Sequence, residues 1–289
     1  MLVTTPRNKE ELVNLIDLYD AFIFGIKDYS VNLIETFTLE EIKTFNKIIK
    51  ENNKEIFISL NKNMNNDDIL NIKPILTELN KLNINGLFFY DIGIVNLKNK
   101  LDLNYDLVWS QEHLTTNYNT INYWYSKGIK YTNLSTEITK KEILDIKKNT
   151  KAKLFITLFG YLPMFTSKRH LVKNYLETFN LNKEGKYIFK EDKTYPIVDN
   201  DLGTTVYSSY ILNGIKEYQE LKDNYIFLNN FNIDEQTFLK VSEYFNNIND
   251  DNINKLNNLF NNLSSGFLYQ PTIYRVKKWF LNYLRQLAI

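Results

Sequence analysis

Residues 153–175 read Lys153-Leu-Phe-Ile-Thr-Leu-Phe159 and then Gly160-Tyr-Leu-Pro-Met-Phe-Thr-Ser-Lys-Arg-His-Leu-Val-Lys-Asn-Tyr175. The first part is an apolar run that predicts a buried strand. Glycine and proline then predict a tight turn, and the Ser-Lys-Arg cluster is placed at the start of a helix. Enzymes built as α/β barrels keep their binding groups at this kind of junction, where backbone N–H groups and cations can hold an anion.

The same pattern of an apolar run followed by helical periodicity repeats along the chain at intervals of roughly 20 to 30 residues. The apolar runs are continuous, which indicates strands buried on both faces, as in a parallel sheet covered by helices. No Gly-x-Gly-x-x-Gly follows any of them, which argues against a dinucleotide-binding fold. The sequence therefore predicts an α/β protein, a TIM-like (βα)8 barrel, with strands at 2–5, 21–26, 55–60, 86–90, 107–110, 130–134, 153–159 and 225–228.

Residues 177–206 interrupt this rhythm, because they are polar and contain Gly185, Pro196 and Gly203. We expect them to form an inserted segment before the last strand. A helix is predicted over 211–221. The barrel is expected to span residues 1–246, and residues 247–289 to form a C-terminal extension that packs on or beside it, with an amphipathic helix at 279–289.

Composition excludes several classes of chemistry. The chain has 35 Lys and Arg against 34 Asp and Glu, so no bulk field attracts nucleic acid or membrane. It has no cysteine, which excludes disulfides, a thiolate nucleophile, a Cys-based zinc site and a self-contained iron–sulfur cluster. No signal-peptide pattern and no run of about 18 apolar residues is present. We expect a cytoplasmic protein with no membrane span.

Polar side chains follow the predicted strands at the end where barrel active sites lie. Gln111 and His113 are expected to share one face of the fifth strand end, with Glu112 on the other face and Asn117 nearby. We predict that they orient an anionic small molecule or a nucleotide base. The alternative is a satisfied hydrogen-bond network inside the barrel mouth.

A second group of candidates carries charge. Arg169, with Ser167 and Lys168, is predicted to clamp a carboxylate or phosphate, since a guanidinium forms a bidentate fork with either. The alternative is a solvated helix start. Asp91 and Glu137 follow the fourth and sixth strands, where a general base could lie, or they cap helices.

Tyr161, the histidines and the remaining sequence motifs say less about function. Tyr161 flanks the cluster and could stack on an unpaired RNA base or pack in the core. Two histidines and scattered acids provide no metal-ligand spacing, so no metal site is expected. No Gly-x-Ser-x-Gly elbow is present.

Several blocks of the chain resemble the peptidase U-32 (collagenase-like) family, especially its short bacterial members linked to 5-hydroxylation of the tRNA wobble uridine. The blocks keep their order over roughly residues 1–277. They are Leu-Val-Thr-Thr-Pro at the start, Trp109-Ser-Gln-Glu-His-Leu-Thr-Thr-Asn117, Glu137, the Gly160 to Tyr175 block with Ser-Lys-Arg, Tyr195-Pro-Ile197, and Gly266-Phe-Leu-Tyr with Thr-Ile-Tyr274.

The resemblance implies a barrel-like α/β fold and a role in wobble-uridine hydroxylation. Longer members carry four cysteines for an iron–sulfur cluster, with His-Gly and then cysteine where this chain has Phe159-Gly160. This chain therefore looks like the cysteine-free sister of a cluster-bearing partner. The resemblance further implies tRNA as a partner and a prephenate-like organic acid as donor, bound with the substrate by Gln111, His113, Asn117 and Arg169.

Two other functions remain open at this stage. The chain could be a non-catalytic scaffold for a cysteine-bearing paralogue. It could also be a peptidase or collagenase-like hydrolase, although neither a nucleophile nor an activated water has a recognisable arrangement in the sequence.

Overall fold

Eight parallel strands close into a barrel in the computed structural model, which describes residues 1–182 and 185–270. Strand β8 pairs with β12 and β12 with β1, which completes the circle β1-β2-β4-β5-β6-β7-β8-β12. The predicted TIM-like barrel is thus confirmed. The strands in the described residues are β1 (Leu2–Thr4), β2 (Ala21–Ile26), β3 (Thr36–Phe37), β4 (Glu55–Leu60), β5 (Gly86–Phe89), β6 (Asp106–Trp109), β7 (Tyr131–Asn133), β8 (Lys153–Ser167), β9 (Tyr187–Lys190), β10 (Lys193–Asn200), β11 (Gly203–Asn213), β12 (Tyr225–Leu228) and β13 (Leu263–Ser264).

Helices cover the outer face of the barrel. Their starts follow from local sequence: Thr38 and Glu41 form a capping box, and Asp234 caps a later helix. The α-helices are α1 (Lys9–Leu15), α2 (Leu39–Glu51), α3 (Asn66–Asn71), α4 (Lys73–Lys81), α5 (Gly93–Lys100), α6 (Tyr118–Ser126), α7 (Lys140–Asn149), α8 (Leu171–Thr178), α9 (Tyr218–Leu221), α10 (Glu235–Asn246) and α11 (Asp250–Leu259).

Side chains alternate between two apolar layers along each strand. On β4, Ile56 and Ile58 face the helices, whereas Phe57 belongs to the separate cluster that fills the barrel. The Phe57 ring lies 5.1 Å from that of Phe155 and 5.6 Å from that of Tyr225. These aromatic side chains close the end of the barrel where the strands begin.

The tight turn predicted at Gly160 is wrong. Strand β8 continues through Gly160 to Ser167 and pairs antiparallel with β11, with irregular register near Tyr207, where Pro163 is accommodated. Gly160 has φ +111°, and a Cβ there would lie 2.3 Å from the backbone oxygen of Asn229. Only glycine allows this bend, which carries the strand out of the barrel wall. We call the paired residues 160–167 of β8 and 203–213 of β11 the ribbon.

The helix predicted over 211–221 is also mostly wrong, because β11 runs to Asn213 and only α9 is α-helical. Pairing with β8 outweighs the local helical pattern. Farther along, β13 pairs with the end of β11. The predicted helix at 279–289 lies outside the described residues.

Candidate functional site at the barrel mouth

A cavity of about 120 Å³ lies inside the barrel at the end where the strands finish, and we call it the inner chamber. Its position follows from the alternation of the strands: two residues beyond Phe57 comes Ser59, and two beyond Phe155 comes Thr157. The walls are therefore apolar near the aromatic end and polar toward the opening. The lining includes Ile23, Ser59, Phe88, Ser110, Asn133, Phe155, Thr157, Phe227 and Asn229.

A wider cavity of about 470 Å³, the outer chamber, lies next to it. The two share Asn61, Glu112 and His113 in their linings, so the inner chamber adjoins the outer one. The outer chamber adds two cations, together with ribbon residues and the end of β5. Its further lining includes Lys62, Asn63, Tyr90, Phe165, Thr166 and Lys168.

Asn32 ties the ribbon to the barrel mouth. Its Nδ2 donates to Glu112 Oε1 at 3.0 Å and to Thr166 Oγ1 at 3.2 Å. Its Oδ1 accepts from Thr205 Oγ1 at 2.8 Å. One amide thus holds the loop after β2, the loop after β6 and both strands of the ribbon in register. It also orients the Glu112 carboxylate at the opening of the inner chamber.

His113 and Glu137 lie side by side at the rim, both half-exposed, with 3.1 Å between Nδ1 and Oε1. The structure therefore brings together these two residues, which the sequence placed after different strands. Gln111 lies beside them but donates its amide to the backbone oxygen of Tyr90, which joins the ends of β5 and β6.

Two of the sequence candidates cap helices. Asn117 Oδ1 accepts from Thr120 N at 3.0 Å at the start of α6, and Asp91 Oδ1 accepts from Gly93 N at 2.8 Å. Neither residue lines the inner or the outer chamber. Both side chains thus bond to backbone N–H groups at the starts of helices. That role was the alternative interpretation for Asp91.

The Ser-Lys-Arg cluster lies between the ribbon and α8 and does not form a helix start as expected. The Ser167 hydroxyl accepts from the Arg169 N–H at 3.1 Å. Lys168 lines the outer chamber. The Arg169 side chain is exposed and makes no hydrogen bond or ion pair with residues 1–182 or 185–270. Tyr161 points elsewhere, since its hydroxyl accepts from Asn262 at 3.1 Å.

The start of α8 is occupied by a carboxylate of the protein itself. Asp199 Oδ2 accepts from the N–H groups of Val172 and Lys173 at 2.8 and 3.0 Å, and its Oδ1 lies 3.0 Å from His170 Nδ1. Burial acts to raise the pKa of Asp199, but these hydrogen bonds outweigh it and lower that pKa. An external anion therefore finds these amides already bonded, which corrects the predicted anion site at this helix start.

Sequence reasoning missed Asn32, Ser59, Asn133 and Thr157. Three of them carry the signal of inward alternation on a strand, and Asn133 also donates to Ser110 Oγ at 3.1 Å. Asn32 lies in a loop, where no periodicity marks it.

The chain cannot ligate the iron–sulfur cluster of the longer proteins that it resembles, because none of its 289 residues is a cysteine. In the part of the chain that the structure describes, no three His, Asp or Glu side chains are grouped so that they could hold a metal ion. Within the same residues, no helix is both long and apolar enough to cross a bilayer.

Comparisons with known proteins agree on one family. The model of peptidase family U32 matches residues 14–234. The tRNA hydroxylation protein P2 of Bacillus subtilis (strain 168) is 29% identical over 254 residues, which cover 84% of this chain and 81% of that protein. The tRNA hydroxylation protein P1 of the same organism is 21% identical over 167 residues, 57% of this chain and 40% of that protein.

Two further matches bear on the family and the fold. An uncharacterized protease of Methanocaldococcus jannaschii is 29% identical over 145 residues, 50% of this chain and 35% of that protein. The solved structure of the U32 peptidase Mk0906 superposes with a TM-score of 0.52 at 10% identity, over 78% of this chain and 91% of that one. This last likeness concerns the fold alone.

Proposed function

This chain belongs to peptidase family U32, and from that premise we propose that it takes part in the 5-hydroxylation of the tRNA wobble uridine. The observation that carries the proposal is the match to tRNA hydroxylation protein P2, which extends over 84% of this chain and 81% of that protein. The proposed setting is the cytoplasm, with tRNA as the substrate.

The proposed partner is a second U32 protein that bears the cluster cysteines. Similarity to both P1 and P2 supports the pairing of two related barrels. Electron transfer would then belong to the partner, since this chain has no thiolate to ligate a cluster. The contribution of this chain is to bind and orient the reacting molecules.

A prephenate-like organic acid is proposed as the hydroxyl donor, bound at Arg169 beside the outer chamber. The Arg169 guanidinium is exposed and does not line that chamber. A guanidinium forms a bidentate fork with a carboxylate. His113 and Glu137 lie at the same opening, where they can exchange a proton with a bound group.

The test is mass spectrometry of tRNA nucleosides from cells that lack the gene and carry it back as wild type or as Arg169→Ala. We expect deletion and Arg169→Ala to remove 5-hydroxyuridine and its derivatives. The fold should be unchanged, because the Arg169 side chain bonds to none of the described residues. Lys148→Ala, an exposed cation on α7, is the matched control and should restore the modification. Unchanged nucleosides after deletion would refute the proposal.

A second candidate is a non-catalytic subunit that supports the cluster-bearing relative, and the absence of cysteine favours it. It predicts a stable complex of the two proteins, together with full activity after Arg169→Ala. Peptide hydrolysis has weaker support, although one relative is named a protease. Both histidines pair with carboxylates, and in the described residues neither bonds to a serine or threonine hydroxyl.

A further inference from the structure

We propose that the inner chamber binds one neutral pyrimidine base, with the phosphate of the same nucleotide in the outer chamber near Lys168. The proposal rests on the proposed function only where it names RNA as the source of the base. Its grounds are the size of the inner chamber, the chemistry of its walls and the position of the charges.

Size limits the occupant to one ring. The inner chamber measures about 120 Å³, somewhat less than the protein cavity of roughly 150 Å³ that is known to hold benzene. One six-membered ring is therefore the largest group that this volume suits, whereas a fused purine requires the walls to move. The outer chamber, at about 470 Å³, has room for the ribose and phosphate.

The apolar part of the wall suits a flat ring. Phe88 and Phe155 lie with their ring centroids 4.8 Å apart, and Phe227 and Ile23 join them in lining the inner chamber. Bases taken out of a nucleic-acid stack are held between aromatic and apolar side chains in this way.

The polar part of the wall has free hydrogen-bonding groups. Ser59 is 4% exposed, and neither its hydroxyl nor that of Thr157 bonds to another described residue. The Asn133 oxygen is also unpaired within the described ranges, while its Nδ2 donates to Ser110. By contrast, Asn61 and Asn229 are fully engaged by backbone groups. Uracil presents two carbonyl oxygens around one N–H, which two hydroxyls and an amide oxygen can satisfy.

Charge argues against an organic acid in the inner chamber. Among the described residues, no lysine or arginine lines it, its one carboxylate is Glu112, and its one histidine, His113, already lies 3.1 Å from the Glu137 carboxylate. A dianion placed there would lose its hydration without a lysine or arginine to compensate. In the outer chamber Lys62 already pairs with Asp68 at 2.9 Å, whereas Lys168 interacts with Asp68 only at longer range and makes no hydrogen bond or close ion pair with a described residue. Lys168 is thus the cation available to a phosphate.

The test is titration of the purified full-length chain with uridine 5′-monophosphate, adenosine 5′-monophosphate and succinate, followed by NMR. We expect the uridine nucleotide to bind about tenfold more tightly than the adenosine nucleotide, since the latter is too large. Succinate should not displace it. Equal binding of the two nucleotides, displacement by succinate, or no binding of the uridine nucleotide would each overturn the proposal.

Variants that conserve side-chain shape test whether the uridine nucleotide binds in the inner chamber. Asn133→Leu and Thr157→Val should each weaken binding of the uridine nucleotide about tenfold through an unpaired base edge. Thr132→Val, on the strand next to β8 but outside the inner chamber, is the matched control and should bind as wild type. Unchanged binding in both chamber variants, with folding verified by thermal unfolding, would overturn the placement.

The two proposals can fail separately. If the uridine nucleotide binds as predicted but deletion of the gene leaves tRNA unchanged, the pyrimidine site stands and the proposed function falls. If deletion removes the modified nucleoside but the nucleotide does not bind, the proposed function stands and the pyrimidine site falls.

Discussion

The two ends of the barrel are built from the same strands but by opposite chemistry. At the closed end, the rings of Phe57, Tyr131, Phe155 and Tyr225 pack on one another, and the Tyr225 hydroxyl donates to Glu55 at 2.8 Å. At the open end the inward side chains are hydroxyls and amides. One step of the strand alternation, about 7 Å, separates a floor that stabilises the fold from a chamber that can bind a ligand.

The closed end should carry most of the stability. Phe57→Ala removes a ring that is 0% exposed and contacts Phe88, Tyr131, Phe155 and Tyr225. We expect the free energy of unfolding to fall by about 3–5 kcal/mol, measured by urea denaturation. Asn133→Leu at the open end is the comparison, and a loss as large as that of Phe57→Ala would break the contrast.

The bend at Gly160 connects the barrel wall with the open end, because it directs β8 from the wall to the mouth. Gly160→Ala would place a Cβ against the Asn229 backbone, so we expect a loss of about 3 kcal/mol. Gly128→Ala is the control. That glycine also has positive φ, +86°, but its Cβ would meet no atom within 4 Å, and we expect about 1 kcal/mol. Equal losses in thermal unfolding would mean that the close approach to Asn229 is relieved by a small shift.

Acid should release the Asp199 carboxylate from the start of α8. The pKa of Asp199 is lowered in the folded chain, so its contribution to stability is complete above the unfolded-state value of about 3.9 and is lost as pH falls through the lower folded value. NMR titration of the Val172 and Lys173 amides should show a midpoint below that value. Asp199→Asn should remove the transition, and a wild-type midpoint above 3.9 would contradict the assignment.

The smallest expected effect on stability concerns two threonines: Thr132 in the barrel wall and Thr157 in the lining of the inner chamber. Thr132 is 0% exposed and its hydroxyl has no partner in the described chain, so Thr132→Val should change the free energy of unfolding by no more than about 1 kcal/mol, toward higher stability. Thr157→Val should be similarly neutral for folding and differ only in binding. A clear loss of stability in Thr132→Val would indicate a bound water at that hydroxyl.

Strands with strong local pattern were predictable. The predicted ranges 21–26, 55–60 and 225–228 coincide with β2, β4 and β12. Their apolar and β-branched residues satisfy both layers of the barrel, so local preference and tertiary packing agree. The capping box at Thr38 is equally local, which is why it could be read directly.

The bend and the chamber could not be predicted in the same way. Glycine and proline usually end a strand, and only pairing with β11 shows that Gly160 bends one instead. Asn32 and Thr166 form a hydrogen bond although they are 134 positions apart in the chain. Sequence periodicity predicts local structure and does not indicate a contact at that separation. The candidates Asn117 and Asp91 had the right residue types near the right strands, but short-range capping bonds engage them.

The long excursion between β8 and β12 has a consequence for how the chain acquires its fold during synthesis. Strand β12 is the last strand of the barrel to be made, and it must enter between β8 and β1, where Thr4 donates to the Leu228 carbonyl 224 positions away. Until then the lower part of β8 and one side of β1 are open edges, which can pair with other chains. The ribbon is complete before β12 emerges, so it covers the upper part of β8 early and leaves a short edge unprotected. A nascent chain from which the ribbon has emerged but β12 has not would therefore be the barrel in its most aggregation-prone state.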